Sequence, residues 1–396
     1  MTKIIYMIFI GSIMVGNGLY FGPCTLRQYG AIYFFINIIQ NFNKIKEYIH
    51  LLPIYCIFII MYGISSIMSG TLIVFMRQLI ALYLVSIVGY LSTIIILKKY
   101  NTLNYFLDSF IIVGLINCSI TILQYFGIGI SYVIGGIFVD LNDPVKVAQL
   151  TRIMDGDHSN LMGIMGDIVY NGYYSMILPF ILLIRLKNKN SIVQIISVLI
   201  SLISLFMVGE RSCFGITLLL LSLYIYREYR KTILFKITCV GIFISLLFFI
   251  SDFIGSDIIQ ESRWVGEKST VRDDINSAIL PFIFSHLLFG GLASFIKLTH
   301  FPPHNVIASG FIYAGIIGGS CIIYILFRQA EITYRLIKRH QNMLISLAFA
   351  AYTLNGLFHN PAIVTGDAMV WILWGMVIYS YKTYRYKITC QLKTIH

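Results

Sequence analysis

The chain has 396 residues, of which 58% are hydrophobic and only 12% charged, with a formal net charge of +12. A soluble domain could not cover that much apolar surface with so few charges, so the composition is that of a polytopic helical membrane protein. Solid apolar runs in place of period-two alternation exclude a large β-barrel. The basic residues sit mostly in short clusters between those runs, which fits membrane topology and argues against nucleic acid as a partner.

In chain order, twelve apolar segments read as spans: about 4–22, 29–41, 51–68, 71–97, 104–127, 169–185, 191–208, 212–226, 233–253, 305–327, 342–358 and 367–381. The first lacks a convincing cleavage site and reads as a retained span. A tight Ser-Gly turn joins the third and fourth. Basic clusters follow every even-numbered span: Lys44 and Lys46; Lys98 and Lys99; Arg185, Lys187 and Lys189; Arg227, Arg230 and Lys231; Arg328, Arg335, Lys338 and Arg339; Lys382, Arg385 and Lys387. The positive-inside rule therefore puts these loops and both termini in the cytoplasm. Two long segments, 128–168 and 254–304, face the other side and carry most of the acidic residues. The whole chain, 1–396, reads as one integral membrane domain. Within the second long segment, "TVRDDINSAILPFIFSHLLF" has the pattern of an amphipathic helix lying near the membrane surface.

Cys56, Cys118, Cys239 and Cys321 lie inside apolar runs and read as small core residues. No Cys/His spacing suggests a metal. Cys24 and Cys213 share a compartment in this topology, which leaves a disulfide between them open.

The few basic residues on the outer side stand out. Arg27 lies in "GPCTLRQYG", Arg211 in "VGERSCFG", and Arg263 and Arg272 in "SRWVGEKSTVRDD". His304 closes the second long segment in "FPPHNVIASG", and His359 in "LFHNPAIVTGD" ends the eleventh span at the same level. Arg77 falls inside the fourth span, about two turns from its outer end. An arginine there is either functional or snorkels outward to the interface. A cluster of guanidinium groups on one face suits a polyanion, because each grips phosphate oxygens in a bidentate fork. A lipid-linked pyrophosphate at the outer leaflet would fit, and the arginines would also stabilise it as a leaving group. Two readings of His304 stand at this point. It could accept a proton near neutral pH, or it could be a helix-cap residue in a polar turn beside Asn305, itself suited to cap the tenth helix.

These residues also carry a family resemblance. "PPHNVIASGFIYAGIIGG", "VGERSCFGITLLLL" and "STVRDDINSAILPFIFSHLLFGGL" resemble, in order and spacing, the motifs of the O-antigen polymerase (Wzy) and O-antigen ligase (WaaL) superfamily. The resemblance implies an all-α polytopic membrane protein of about 12 transmembrane helices. A large periplasmic loop between spans 9 and 10 completes an architecture like that of the C-type glycosyltransferases. It implies a bacterial inner-membrane enzyme that works without metal, cofactor or nucleotide sugar on an undecaprenyl-pyrophosphate-linked oligosaccharide. Membrane lipid surrounds it, and a chain-length regulator and a flippase of the same pathway are its implied partners. Matched residue by residue, Arg211 and Arg272 would bind pyrophosphate and His304 would assist the acceptor. Arg263, Arg77 and Arg27 are supporting candidates from charge placement alone. The chain departs from the second motif in placing "VGE" before the arginine, which makes Glu210 an ion-pair partner or an alternative base. Polymerase and ligase differ in acceptor, a second lipid-linked repeat unit or the lipid A core, and the look of the His-Asn segment leans toward polymerase.

Two competing readings remain. "DGD" at Asp155–Asp157, beside His158, is either a polar turn or an acidic metal motif. A lipid-linked-oligosaccharide flippase would share the span count, but it calls for short outer loops and more charges along its helices.

Overall fold

A computed structural model describes residues 1–15, 20–21, 24–139, 144–154, 161–186, 192–229, 270–358 and 362–393. Among these the fold is all-α apart from one antiparallel ladder of two residues a side, β1 (Tyr20–Phe21) and β2 (Cys24–Thr25). The helices are α1 (Thr2–Met14), α2 (Leu26–Ile45), α3 (Leu52–Met68), α4 (Leu72–Gln78), α5 (Leu84–Tyr100), α6 (Asn104–Tyr125), α7 (Gly129–Gly136), α8 (Pro144–Met154), α9 (Ile168–Leu186), α10 (Ile192–Val208) and α11 (Arg211–Tyr229). After the gap come α12 (Thr270–Ser285), α13 (Leu292–Thr299), α14 (Val306–Lys338), α15 (Met343–Asn355), α16 (Ala362–Thr365) and α17 (Ala368–Lys393).

The expected apolar segments fall on helices with two exceptions: 233–253 lies outside the described residues, and in 4–22 the helix ends at Met14, with Tyr20–Phe21 already in the β ladder, so that helix is shorter than the span expected there. Among the described residues, five helical stretches are long and apolar enough to cross a membrane: Leu26–Met68, Leu72–Tyr100, Asn104–Tyr125, Ile168–Arg185 and Val306–Lys338. They are the helices of a membrane protein. The Ser-Gly turn is present, with Gly70 at φ +68°. A single π-helical segment, Leu79–Tyr83, joins α4 to α5. Cys118 is buried as expected, but Cys56 is exposed and Cys321 half-exposed, so apolar sequence surroundings did not make them core. Cys24 and Cys213 are free thiols.

The chain forms two compact units, one of residues 1–14, 20–110 and 269–396, the other of residues 15–19 and 111–268. In the first unit, α14 packs along α3 and α17 along α5. An aromatic core forms between them, with Tyr55 and Trp371 ring centroids 4.4 Å apart and Tyr62 and Tyr313 4.9 Å apart.

Non-helical backbone inside such a bundle must find internal partners, because hydrocarbon offers none. In the second unit the turn 161–166 is wholly buried. Gln124 Oε1 accepts from Gly163 N at 2.9 Å, Asn117 Oδ1 accepts from Ile164 N at 3.0 Å, and Asn171 Nδ2 donates to Leu161 O at 2.8 Å. In the first unit, the one-turn helix α16 and the Gly366–Asp367 turn that ends it lie against the α4–α5 helix, and their carbonyls are met from outside. Tyr83 Oη and Ser86 Oγ donate to Val364 O and Gly366 O at 2.6 and 2.5 Å, and Tyr55 Oη to Ile363 O at 3.0 Å.

The third irregularity is inside α14. Ala314 and Gly315 leave helical geometry, with Gly315 at φ +63°, ψ −161°. The break frees Ile312 O and Ile316 N. The α12–α13 turn fills both: Gly291 N donates to Ile312 O at 2.8 Å, and Ile316 N donates to Leu287 O at 2.7 Å. A β-carbon on Gly315 would lie 2.2 Å from Leu288 O, so glycine is required for fit as well as for φ. Gly315→Ala should therefore lower stability by at least ~2 kcal/mol, through backbone strain and collision. Gly215→Ala, in α11 with nothing within 4 Å of the added carbon, should be neutral or stabilising by about 0.5–1 kcal/mol. Thermal unfolding of both variants in detergent checks the contrast.

Candidate functional site

The "PPHN" turn is defined by its cap. Asn305 takes extended backbone angles (φ −116°, ψ 129°) and its Oδ1 accepts from Ile307 N at 2.9 Å and Ala308 N at 3.1 Å. These are two of the first-turn donors that a helix start leaves without partners. Its Nδ2 donates to Leu357 O at 2.9 Å, and Val306 N donates to Gly356 O at 2.9 Å. The start of α14 is thus stapled to the end of α15. Ser309 Oγ closes the turn on Pro303 O at 3.3 Å. Asn305, expected to cap, does so, and its amide is engaged on both sides. His304, half-buried, is the residue ahead of the cap and is not the capping group.

Arg27 lies in the first turn of α2, where Gln28 Oε1 accepts from Thr25 N at 2.8 Å. It is half-buried, its Nε is shielded from solvent without a hydrogen-bond partner, and Asp367 is within electrostatic reach. Asp367 is 5% exposed. It caps α17 by accepting from Met369 N at 2.8 Å on Oδ1, while Oδ2 accepts from Tyr352 Oη in a short bond. Sequence reasoning passed over Asp367 and Tyr352. The signal was present: an aspartate directly after glycine and directly before an apolar run is a helix-start pattern.

Arg77 lies in the last turn of α4 with its side chain exposed. Arg272 lies in the first turn of α12 and Arg211 opens α11; the side chains of both lie outside the described residues. Arg263 and His359 are also outside them, as are Asp155, Asp157 and His158. Among the described residues, no group of three or more His, Cys, Asp or Glu is placed to hold a metal ion.

In the second unit, Glu210 is 5% exposed and packs against Gly172, where an added β-carbon would come within 2.9 Å of its Cγ. It is in electrostatic reach of Asp167, which caps α9 through Val169 N at 2.8 Å and stands 3.9 Å from Lys146 Nζ. Burial pushes the Asp167 carboxyl above the usual carboxylate range and Glu210 adds to the rise. Lys146 and the helix N–H groups of Val169 and Tyr170 hold it down, without cancelling the rise.

No model of a known protein family matches this chain, and a search of curated proteins found no match.

The Asp167 environment gives a pH prediction. A carboxyl whose folded pKa is raised contributes most to stability in acid, below its unfolded value of about 4, and that contribution is lost as pH rises through the folded value. Asparagine caps as well as aspartate and carries no charge. Asp167→Asn should therefore gain stability relative to wild type as pH rises from 4 to 8. Asp167→Ala, which loses the cap, should be about 1 kcal/mol less stable than Asp167→Asn at both ends. Melting temperatures across the pH series test the sign.

Proposed function

We propose that this chain is an O-antigen, or surface polysaccharide, polymerase of the bacterial inner membrane. In this reading it has twelve spans, both termini in the cytoplasm, and its active site at the periplasmic face. The acceptor is a hydroxyl of a lipid-linked repeat unit, and the donor is the growing glycan on undecaprenyl pyrophosphate. The acceptor oxygen attacks the anomeric carbon, and the bond from that carbon to the pyrophosphate oxygen breaks. Its electron pair leaves with undecaprenyl pyrophosphate, and the acceptor's proton passes to the imidazole of His304. Arg211 and Arg272 hold the pyrophosphate, and Arg27, Arg77 and Arg263 supply supporting charge.

The observation that carries the reading is the division of labour in "PPHN". Asn305 does the capping and is tied to Leu357. His304 is therefore not the capping group, which supports a part for it in proton transfer. The reading also draws support from Arg27, whose buried Nε has no protein partner.

Deletion of the gene followed by lipopolysaccharide gel analysis separates the candidates. A polymerase mutant leaves core bearing a single repeat; bare core with accumulated lipid-linked polymer would mean a ligase. In proteoliposomes with purified lipid-linked repeat units, His304→Ala should slow turnover by roughly 10²–10⁴-fold while donor binding is kept. Arg272→Ala should abolish polymer, and Arg272→Lys should be badly impaired, because lysine lacks the bidentate fork. Full activity of Arg272→Ala and Arg211→Ala would remove the pyrophosphate clamp.

A further inference from the structure

The sequence pattern of α12 suggested a helix lying along the membrane surface. Its attachment to α14 argues for a deeper position. From Val306 to Phe327, α14 carries no charged residue until Arg328. That run of helix is about 33 Å long at ~1.5 Å per residue, close to the ~30 Å of bilayer hydrocarbon. His304 and Arg328 therefore mark the two surfaces. The break at Ala314–Gly315 lies ~12 Å below the start of the helix, and the α12–α13 turn is hydrogen-bonded to both sides of that break. Helix α13, eight residues long, covers the same ~12 Å back up to the "PPHN" level.

We propose that α12, α13 and the turn between them form a re-entrant hairpin, and that the hydrocarbon chains of the surrounding bilayer cover its Leu280–Phe284–Leu288 face. Three further observations support this. No Asp, Glu, Lys or Arg occurs from Ile275 to Ile296, while Asp273, Asp274 and Lys297 stand at its ends. One face of the hairpin is packed, with Ile275, Phe282 and Phe295 buried against Ile312 of α14. The other exposes Leu280, Phe284 and Leu288 at 63%, 73% and 66%. This second face runs on into exposed Ile316 and Ile317 of α14, a helix long and apolar enough to cross the membrane, so lipid on one implies lipid on the other. The turn tolerates that depth because its backbone is satisfied: Gly290 N donates to His286 O at 2.8 Å, and Gly291 N and Leu287 O close the break in α14. The inference is independent of any catalytic role.

Nitroxide labels test it on the full-length protein in lipid vesicles, introduced at Leu280→Cys, Phe284→Cys and Leu288→Cys in a background whose native cysteines are replaced. All three sites are exposed, and the melting temperature of each labelled protein is compared with that of its parent. The expected result is relaxation by lipid-soluble oxygen and shielding from a water-soluble nickel chelate, with the reverse for a label at Lys297→Cys. Access of the nickel chelate to positions 284 and 288 equal to that at 297 would overturn the proposal. So would shielding from both agents with spin–spin broadening between labels, which would mean that a second copy of the chain covers the face.

Discussion

Every backbone N–H and C=O inside this protein must find a partner within the chain, because apolar surroundings supply none and an unpaired group costs several kcal/mol. Long helices meet that demand by themselves. Among the described residues, three internal stretches outside the long helices are held by groups from other elements. Amide side chains of α6 and α9 hold the 161–166 turn. Hydroxyls of Tyr55, Tyr83 and Ser86 hold the 362–367 turn. Backbone of the α12–α13 turn holds the break in α14. Buried Asn117, Gln124 and Asn171, polar in an otherwise oily interior, are explained by this one requirement.

The same requirement explains what could be read from sequence. Helix positions were legible because an apolar run records its own secondary structure locally. The Asn305 cap was legible too, since two prolines followed by His-Asn ahead of an apolar run are a local start signal. The three irregular places were not. Val364 is held by Tyr83 from 281 positions away, and nothing around either residue announces the other. Asp367 opens the twelfth apolar segment, where its cap was legible locally, but its partners were not: in the fold it is a buried cap bound by Tyr352 with Arg27 in reach. Candidate residues chosen by charge alone met mixed fates. Arg27 landed beside a buried carboxylate, whereas Arg77 points outward.

One local device is used twice. Gly166-Asp167 before α9 and Gly366-Asp367 before α17 both pair a glycine at positive φ, +66° and +78°, with an aspartate that caps the next helix. The glycine takes the left-handed turn, and the carboxylate meets the positive end of the helix dipole. In both places the carboxylate, half-buried at Asp167 and buried at Asp367, is offset by helix N–H groups and by a nearby cation, Lys146 in one case and Arg27 in the other.

The break in α14 also bears on how the chain is made. Leu287 O and Gly291 N leave the ribosome fewer than thirty residues ahead of Ile316 N and Ile312 O, the groups that complete them. A hairpin entering the bilayer first would carry two open backbone groups into hydrocarbon, and α14 entering alone would carry the matching two. Neither piece is a sound passenger by itself. With the hairpin re-entrant as proposed, residues 270–338 would enter the bilayer as one insertion unit, although hydropathy divides them into a loop and a span.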